Sequence, residues 1–424
     1  MLADSLNQEQ QANKRMSDTW AVLLSIGIFL TVNNIIYNVL FIILGSAADL
    51  KGYSEPQIGF LGTAYLIGQM VANLSSVLWV RKLNWKLMIG LATVVSVLSL
   101  YAAAFVDYNG FLILLTITGL ACGTAQACVM CCISGLKDPS KAYSLGLALQ
   151  VIVAGAVIYF LQLHITPNYG YSGLLFTIAG LFALSLFFLL SMPSTDDRTS
   201  TAVEGSKSSK VAARFSMPSI IALSGIAIYF IGQTGVWGFL ERIAVSKNMD
   251  YEFIGIVLGA VLVLCSLGAF LAMKVGSRFG ILKPMILGIG LFFISVILWV
   301  ISDNKWMYAL SALIYASAWN FCLPYQLLAV NKTDKDGRYA AMIPAFQSIG
   351  GAAGPAMAGI LIFDGNFNYV YLMAIFTALA SLVIFWMVTK RHSADDAVEE
   401  LNLKAAQEEA QIAANKQQLS SSTN

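Results

Sequence analysis

Charged side chains are scarce in this sequence. Only 11% of the 424 residues are Asp, Glu, Lys or Arg, whereas soluble domains carry about 25%. The scarcity leaves long runs without any acid or base, such as 21–47, 87–106 and 371–388. Each run can cross a hydrocarbon core as a helix, which takes about 20 apolar residues. Because the period-two alternation that a membrane barrel requires is not visible, the sequence predicts a helical membrane protein.

The residues of enzyme active sites are also few. The only histidines are His164 and His392, and the sequence contains no nucleophile elbow, phosphate-binding glycine loop or His-Glu zinc motif. Cys122, Cys128, Cys131 and Cys132 cluster in one predicted span without a histidine or acid nearby. We interpret them as small apolar packing residues. The sequence therefore predicts no enzyme, no metal site, no cofactor and no disulfide framework.

Twelve apolar segments fall into two sets of six. The first set covers 19–47, 56–80, 86–106, 110–135, 142–165 and 171–192, and the second covers 217–244, 253–276, 283–302, 305–330, 338–363 and 367–389. The polar, basic stretch 193–216 has the composition of a flexible linker. The predicted organisation is a tail at 1–18, a bundle at 19–192, the linker at 193–216, a bundle at 217–389 and a tail at 390–424.

The distribution of Lys and Arg predicts the orientation. If the N-terminus is cytoplasmic, the outer loops and flanks hold only Lys51, Arg242, Lys247 and Lys305, and most of the other basic residues lie in inner loops. The positive-inside rule then places both termini in the cytoplasm. We expect a multi-pass protein of the cell inner membrane or plasma membrane, with the lipid bilayer as its surroundings and no nucleic-acid partner.

The two sets of helices also repeat weakly. One constant shift lays Lys82 on Arg278, Asp138 on Asp334 and Tyr143 on Tyr339, which indicates duplicated bundles. With the turn "SRFGILKP" at 277–284, the stretch "DKDGRYAA" at 334–341 and "GGAAGPAMAG" at 350–359, the chain resembles the major facilitator superfamily. The resemblance implies an all-α fold of two pseudo-symmetric six-helix bundles that rock around a central site, in a protein that acts as a monomer.

Departures from the pattern of that family bear on the kind of transporter. The acid that the family usually carries after its second span is replaced by Arg81 and, in the repeat, by Ser277. Helix 4 lacks the arginine that the family often places there. Helix 5 lacks the Gly-Pro pattern that the drug exporters of the family usually show. These gaps count against efflux of amphipathic toxins, which stays an alternative. A membrane sensor with the same fold that does not transport is the other alternative.

Polar side chains inside the spans mark a predicted central site. The resemblance implies that helices 1, 4, 7 and 10 line a cavity with 2, 5, 8 and 11 beside them. The predicted substrate-binding residues are Asn33, Asn34, Tyr37, Gln126, Gln150, Tyr229, Gln233, Trp237, Trp319, Asn320 and Gln347. The alternative for each amide is that it ties helices together by hydrogen bonds.

The chemistry of this set predicts the class of substrate. Amides, phenols and indoles are present, but no fixed charge lies near the predicted midplane. Strongly anionic solutes would lack the Arg or Lys that they need. We expect a small neutral, zwitterionic or weakly cationic organic solute, with protons as the coupling ion.

Glu241 and Arg242 end helix 7. Tyr229, Gln233, Trp237 and Glu241 recur every four residues, so the carboxyl is expected on the cavity face near the outer edge of the bilayer. Its desolvation would suit it to proton uptake and release, and we assign Glu241 and Arg242 to proton coupling. The alternative is an interfacial anchor, with Arg242 facing helix 11 or the lipid headgroups.

Charged residues in the short inner loops predict a cytoplasmic gate. Lys82, Asp138, Arg278, Asp334 and Arg338 stand at related positions in the two halves. We expect charge pairs among them to hold the inner side shut in the outward-open state. The alternative is that they only set the topology.

Overall fold

A computed structural model describes residues 19–80, 82–136, 139–194, 217–276, 278–333, 339 and 342–390 of the chain. The described part is almost entirely helical. The first half contains α1a (Trp20–Asn38), α1b (Leu40–Lys51), α2 (Glu55–Trp79), α3 (Trp85–Ala103), α4 (Tyr108–Gly135), α5 (Pro139–Phe160) and α6 (Thr166–Ser185). The second half contains α7a (Met217–Gly238), α7b (Leu240–Ser246), α8a (Tyr251–Leu264), α8b (Ser266–Val275), α9 (Leu282–Ile301), α10 (Lys305–Thr333), α11 (Ile343–Leu361) and α12 (Asn368–Lys390).

The predicted twelve spans correspond to these helices. Within the described residues, ten helices are long and apolar enough to cross a membrane. The number is ten for two reasons. Helices α5 and α6 form one nearly continuous run and count once. Helix α11 is less apolar, because it contains many glycines and alanines, Gln347 and two prolines. Gly170, at a φ of 62°, breaks that run where the sequence predicts the boundary between helices 5 and 6. The predicted helical fold is confirmed.

Helices 1 and 7, predicted to be continuous, are each interrupted at corresponding places. α1a ends at Asn38 and α7a at Gly238, and a new helix starts two residues later in each case. Backbone carbonyls near such a break need partners, because the membrane interior supplies no water. The indole of Trp237 donates to the carbonyl of Tyr37 at 3.2 Å, and the hydroxyl of Tyr308 donates to that of Leu240 at 2.9 Å. Side chains of neighbouring helices therefore stabilise the breaks, which the hydropathy of the sequence does not reveal.

We call the end of the bundle that carries the loops 52–54, 104–107, 247–250 and 302–304 the outer end, after its predicted orientation. The two halves meet closely there. A Cβ atom at Gly59 of α2 would lie 3.1 Å from Cα of Gly359 of α11, and still nearer to the carbonyl of Pro355. The amide of Ala356 donates to the hydroxyl of Thr63 across the same contact at 2.9 Å. The absence of side chains at these glycines lets α2 and α11 close together.

A second glycine contact joins the halves through α5 and α8a. A Cβ atom at Gly155 would lie 3.0 Å from the carbonyl of Gly259, and the reverse distance is 2.9 Å. Gly155 lies in the outer half of α5, and Gly259 lies in the outer half of helix 8, counted over α8a and α8b together. Two pairs of helices thus seal the outer end, which is the arrangement of a protein closed on that side.

The α2–α11 contact predicts the effect of a bulkier residue. Gly59→Val should prevent full closure of the outer end, because its side chain would collide with the backbone of Pro355 and Gly359. We expect Ser46→Cys, whose side chain is buried at the outer end, to react faster with a membrane-impermeant maleimide in this background. Gly180→Val is the matched control, since no atom lies within 4 Å of a Cβ atom there. Equal labelling rates in the two variants would contradict the prediction.

Candidate functional site

A chain of amide side chains crosses the centre of the first half. Gln69 of α2 donates to Gln126 of α4 at 3.1 Å, and Gln126 donates to Asn34 of α1a at 3.4 Å. The chain ends where Asn34 donates to the carbonyl of Leu30 at 2.9 Å. All three amides remain partly exposed. Sequence reasoning missed Gln69, although a lone glutamine in the apolar stretch "YLIGQMV" is a detectable signal.

Aromatic side chains cluster in the second half. Trp319 of α10 lies at the centre of the cluster, with ring centroids 5.7 Å from Phe230, 6.2 Å from Trp237 and 6.2 Å from Tyr315. The indole nitrogen of Trp319 has no hydrogen-bond partner. Trp237 also meets Phe41 of α1b edge-on at 5.3 Å. The cluster therefore reaches from α10 across to the first half.

The structure divides the predicted substrate-binding residues into two groups. Asn33, Tyr229, Gln233 and Trp237 are buried, whereas the partly exposed group consists of Asn34, Tyr37, Gln126, Gln150, Trp319, Asn320 and Gln347. Contacts join Asn34 to Gln126, Tyr37 to Trp237 and Trp237 to Trp319. The amide of Asn320 is bonded within its own helix, to the carbonyl of Ala316. The prediction that these residues bind substrate therefore remains a prediction for both groups.

Two buried amide side chains lack partners. Both polar atoms of Asn33 and both of Gln326 make no hydrogen bond, and each residue is 1% exposed. Buried polar groups in folded proteins are nearly always paired. Asn33 was predicted to bind substrate, and its unpaired amide is consistent with a need for water or ligand in a state other than this one.

Arg242 forms an ion-pair cluster between the halves. Its guanidinium contacts Asp49 of α1b and, at 3.0 Å, Glu55 of α2. The hydroxyl of Tyr251 of α8a donates to the other oxygen of Asp49 at 2.6 Å. These four side chains form what we call the outer latch. The sequence did not predict these partners of Arg242, which are two acids from the first half.

Glu241 points in a different direction from its neighbour. Its side chain is 1% exposed and lies against Gly45 of α1b, where a Cβ atom would be 2.6 Å from the carboxyl carbon. Gln162 lies beside it, at the outer end of α5, close enough to interact with the carboxyl. The Oε2 atom of Glu241 nevertheless has no hydrogen bond of good geometry. An acid of the second half is thus inserted into the first half.

The predicted inner gate is only partly described. Lys82 and Arg278 are exposed, while Asp138, Asp334 and Arg338 lie outside the described residues. The gate remains a prediction, and the ion pairs that join the two halves in the described part lie at the outer end instead.

The match of this chain to a known protein family also divides it into two halves. A model of the Major Facilitator Superfamily matches residues 23–224 and, as a second copy, residues 221–421. The chain belongs to the Major Facilitator Superfamily. No curated protein matches its sequence.

Solved structures of other transporters share the fold of this superfamily member. The nucleoside transporter NupG has a TM-score of 0.70 at 14% identity, over 87% of this chain and 98% of its own. A D-xylose-proton symporter has a TM-score of 0.68 at 15% identity, over 86% and 96%. A bacterial homolog of the human lysosomal transporter Spinster has a TM-score of 0.65 at 14% identity, over 88% and 95%. At these identities the likeness establishes the fold alone.

The outer latch predicts a shift between conformations. Arg242→Gln leaves the carboxylates of Asp49 and Glu55 without their shared cation, so the outer end should open more often. With side chains that are 18–28% exposed, we expect a shift of about 1–2 kcal/mol, or roughly 5–30-fold in population. The measurement is the distance distribution between spin labels on the loops 104–107 and 302–304.

A matched control tests whether the effect belongs to the contact between halves. Lys247 pairs with Asp303 at 2.6 Å, and both residues lie in the second half. Lys247→Gln removes an outer ion pair, one whose acid is more exposed, without touching the first half, so its distance distribution should equal that of the unmodified protein. A similar shift in both variants would show that the latch has no special role.

The amide chain predicts a change in uptake without a loss of stability. Gln126→Leu removes the link between Gln69 and Asn34, but water can replace it because all three side chains are partly exposed. We expect a melting temperature within a few degrees of the original and a half-saturation concentration for uptake about tenfold higher, which is the effect of one lost hydrogen bond. Thr124→Val is the control, since its hydroxyl bonds only the carbonyl of Leu120 in the same helix. A large fall in melting temperature would instead favour the helix-tying role.

Proposed function

We propose that this protein is a secondary active transporter. It carries a small neutral, zwitterionic or weakly cationic organic solute by alternating access and couples that movement to protons. Membership of the Major Facilitator Superfamily supports transport, and the chemistry of the centre supports the class of solute. The charge distribution along the chain supports an inner or plasma membrane location with cytoplasmic termini. The protein acts as a monomer in this proposal.

The observation that carries the proposal is an amide chain in the first half and an aromatic cluster in the second half, connected through the hydrogen bond from Trp237 to the carbonyl of Tyr37. Gln69, Gln126 and Asn34 supply donors and acceptors, while Trp319 and Trp237 supply ring faces and edges. None of these five side chains has a fixed charge. Such a set suits a solute with an apolar ring and hydroxyl or amide groups. Similar folds are found in a nucleoside transporter and a D-xylose-proton symporter, and both names fit this chemistry.

Glu241 supports coupling to protons. It is a buried acid at the boundary between the halves, and burial of an ionised carboxylate without a paired charge is costly. The titratable groups around it are Asp49 of α1b, Arg242 beside it, Tyr251 of α8a and Tyr308 of α10. Arg242 is already engaged by Asp49 and Glu55. A proton on Glu241 would remove the cost of closing the outer end, whereas opening would expose the carboxyl to water and let the proton leave.

A transport assay with purified protein tests the proposal directly. Proteoliposomes are loaded with unlabelled solute or buffer and offered radiolabelled nucleosides, pentoses, amino acids and quaternary amines, with and without an imposed pH gradient. Accumulation of one class that depends on the gradient supports the proposal. Extrusion of amphipathic cations would indicate an efflux pump. Binding without flux of any solute would indicate a sensor.

Glu241→Gln separates coupling from binding. The amide keeps the size of the side chain but cannot lose a proton in the working range, so exchange of labelled for unlabelled solute should persist. Accumulation driven by the pH gradient should fall to the level reached without one. Glu252→Gln, which alters an exposed acid in the first turn of α8a, should behave like the original protein. Undiminished accumulation in Glu241→Gln would leave Glu241 as an interfacial anchor.

A further inference from the structure

A cavity of about 190 Å³ lies at the outer end, apart from the central amides and aromatic rings. Ser46 and Asp49 of α1b form one side, Gln162 and Thr166 of the α5–α6 junction form another, and Tyr251 of α8a completes the polar lining. Leu50 and Pro167 are its apolar members. Glu241 is not part of this lining but lies next to it: its carboxyl packs against Gly45, the residue before Ser46, and beside Gln162. Both halves of the protein therefore contribute to this pocket.

Polar atoms without partners gather at this pocket. The hydroxyl oxygens of Ser46 and Thr166, Nε2 of Gln162 and Oε2 of Glu241 are all buried and make no hydrogen bond. Ser46 is 3% exposed, and Gln162 and Glu241 are 1% exposed. Because buried polar atoms are rarely left unpaired, three such atoms on the lining of one cavity, with a fourth on the neighbouring Glu241, indicate that something binds there.

The local backbone is shaped to bring these side chains together. Gln162 lies in a π-helical turn, Leu161–Ile165, and such turns are frequent at functional sites. Ser46 and Glu241 follow the breaks in helices 1 and 7, in α1b and α7b. Gly45 makes room for Glu241, and Gly255 makes room for Gln162, since a Cβ atom at Gly255 would lie 2.6 Å from Cβ of Gln162. Irregular helices and two glycines thus converge on the pocket.

The charges around the pocket leave one acid without a cation. Arg242 is shared between Asp49 and Glu55. Two other basic side chains of the outer end have other contacts: Lys247 pairs with Asp303, and Lys51 lies over the ring of Tyr171. Glu241 is the acid that these contacts do not neutralise, so an ionised Glu241 calls for a single positive charge.

We propose that the pocket binds one monovalent alkali cation, held by the oxygens of Glu241, Ser46 and Thr166. Carboxylate and hydroxyl oxygens are ligands suited to hard cations, and the cavity leaves room for water to complete the coordination. The site is assembled only when the outer end is closed, because α1b, α5 and α6 come from one half and α7b from the other. The cation therefore stabilises the closed outer end.

This inference goes beyond proton coupling and can fail independently of it. A protein that accumulates solute with a pH gradient but shows no response to alkali cations would refute the cation site and leave the proposed function intact. A response to alkali cations without flux of any solute would refute the proposed transport function and leave the cation site intact.

Thermal unfolding of the purified full-length protein tests the site. Sodium, lithium and potassium chloride are compared with choline chloride at equal ionic strength and constant pH. We expect at least one alkali cation to raise the melting temperature in a saturable way, by about 5 °C at concentrations far above its dissociation constant.

Variants assign the response to the pocket. Ser46→Ala and Thr166→Val each remove one oxygen and should raise the half-maximal cation concentration about tenfold, while Glu241→Gln should abolish the response. Asp303→Asn alters an outer acid paired with Lys247 and should keep it. If Glu241→Gln does not fold, the two hydroxyl variants still decide. Equal melting temperatures in all four salts, or an unchanged response in the three pocket variants, would overturn the proposal.

Discussion

Polar groups inside a membrane must find their partners within the protein, and this constraint governs much of the structure. Breaks in helices 1 and 7 would leave carbonyls unpaired in lipid. They occur where Trp237 can reach the carbonyl of Tyr37 and Tyr308 that of Leu240. Because of the same constraint, buried polar atoms without a hydrogen-bond partner indicate places where another group can bind. Asn33 in the centre and Ser46 at the outer end lack partners, and these are the places where we expect a ligand or an ion.

Closure of the outer end combines two kinds of contact. Glycines on α2, α5, α8a and α11 let backbones of the two halves approach closely, which is how helices pack when lipid offers no hydrophobic driving force. Around these contacts, Arg242 binds acids of the opposite half. The glycine contacts allow the helices to pack closely, and the ion pairs fix how the two halves are aligned. Opening of the outer end must therefore disrupt both kinds of contact. Glu241 is buried at the same end of the protein, and in the function that we propose its protonation is linked to closure of that end.

Hydropathy predicted much of this architecture. The twelve segments, the boundary near Gly170 and the packing role of buried residues such as Cys128 and Cys132 agree with the structure. Hydropathy could not show that α1 and α7 are interrupted, since the sequence around Val39 is as apolar as that of a continuous helix. Asn34 and Gln126, both predicted for the central site, are hydrogen-bonded to each other, whereas Gln69, which extends this chain from helix 2, was not predicted.

The sequence by itself determined that the chain crosses a membrane repeatedly as helices, because that outcome depends only on the length and polarity of each segment. It also determined that acids and bases avoid the middle of the apolar segments, and the solute class that we propose rests on that pattern. Only the tertiary structure decided that Arg242 meets Asp49 and Glu55, and that Glu241 turns towards Gly45 and Gln162. These partners lie far apart along the chain, in different halves, and no local pattern specifies which helices meet. Burial and charge pairing depend on which helices are in contact. They place Arg242 in the outer latch and make its neighbour Glu241 a buried acid.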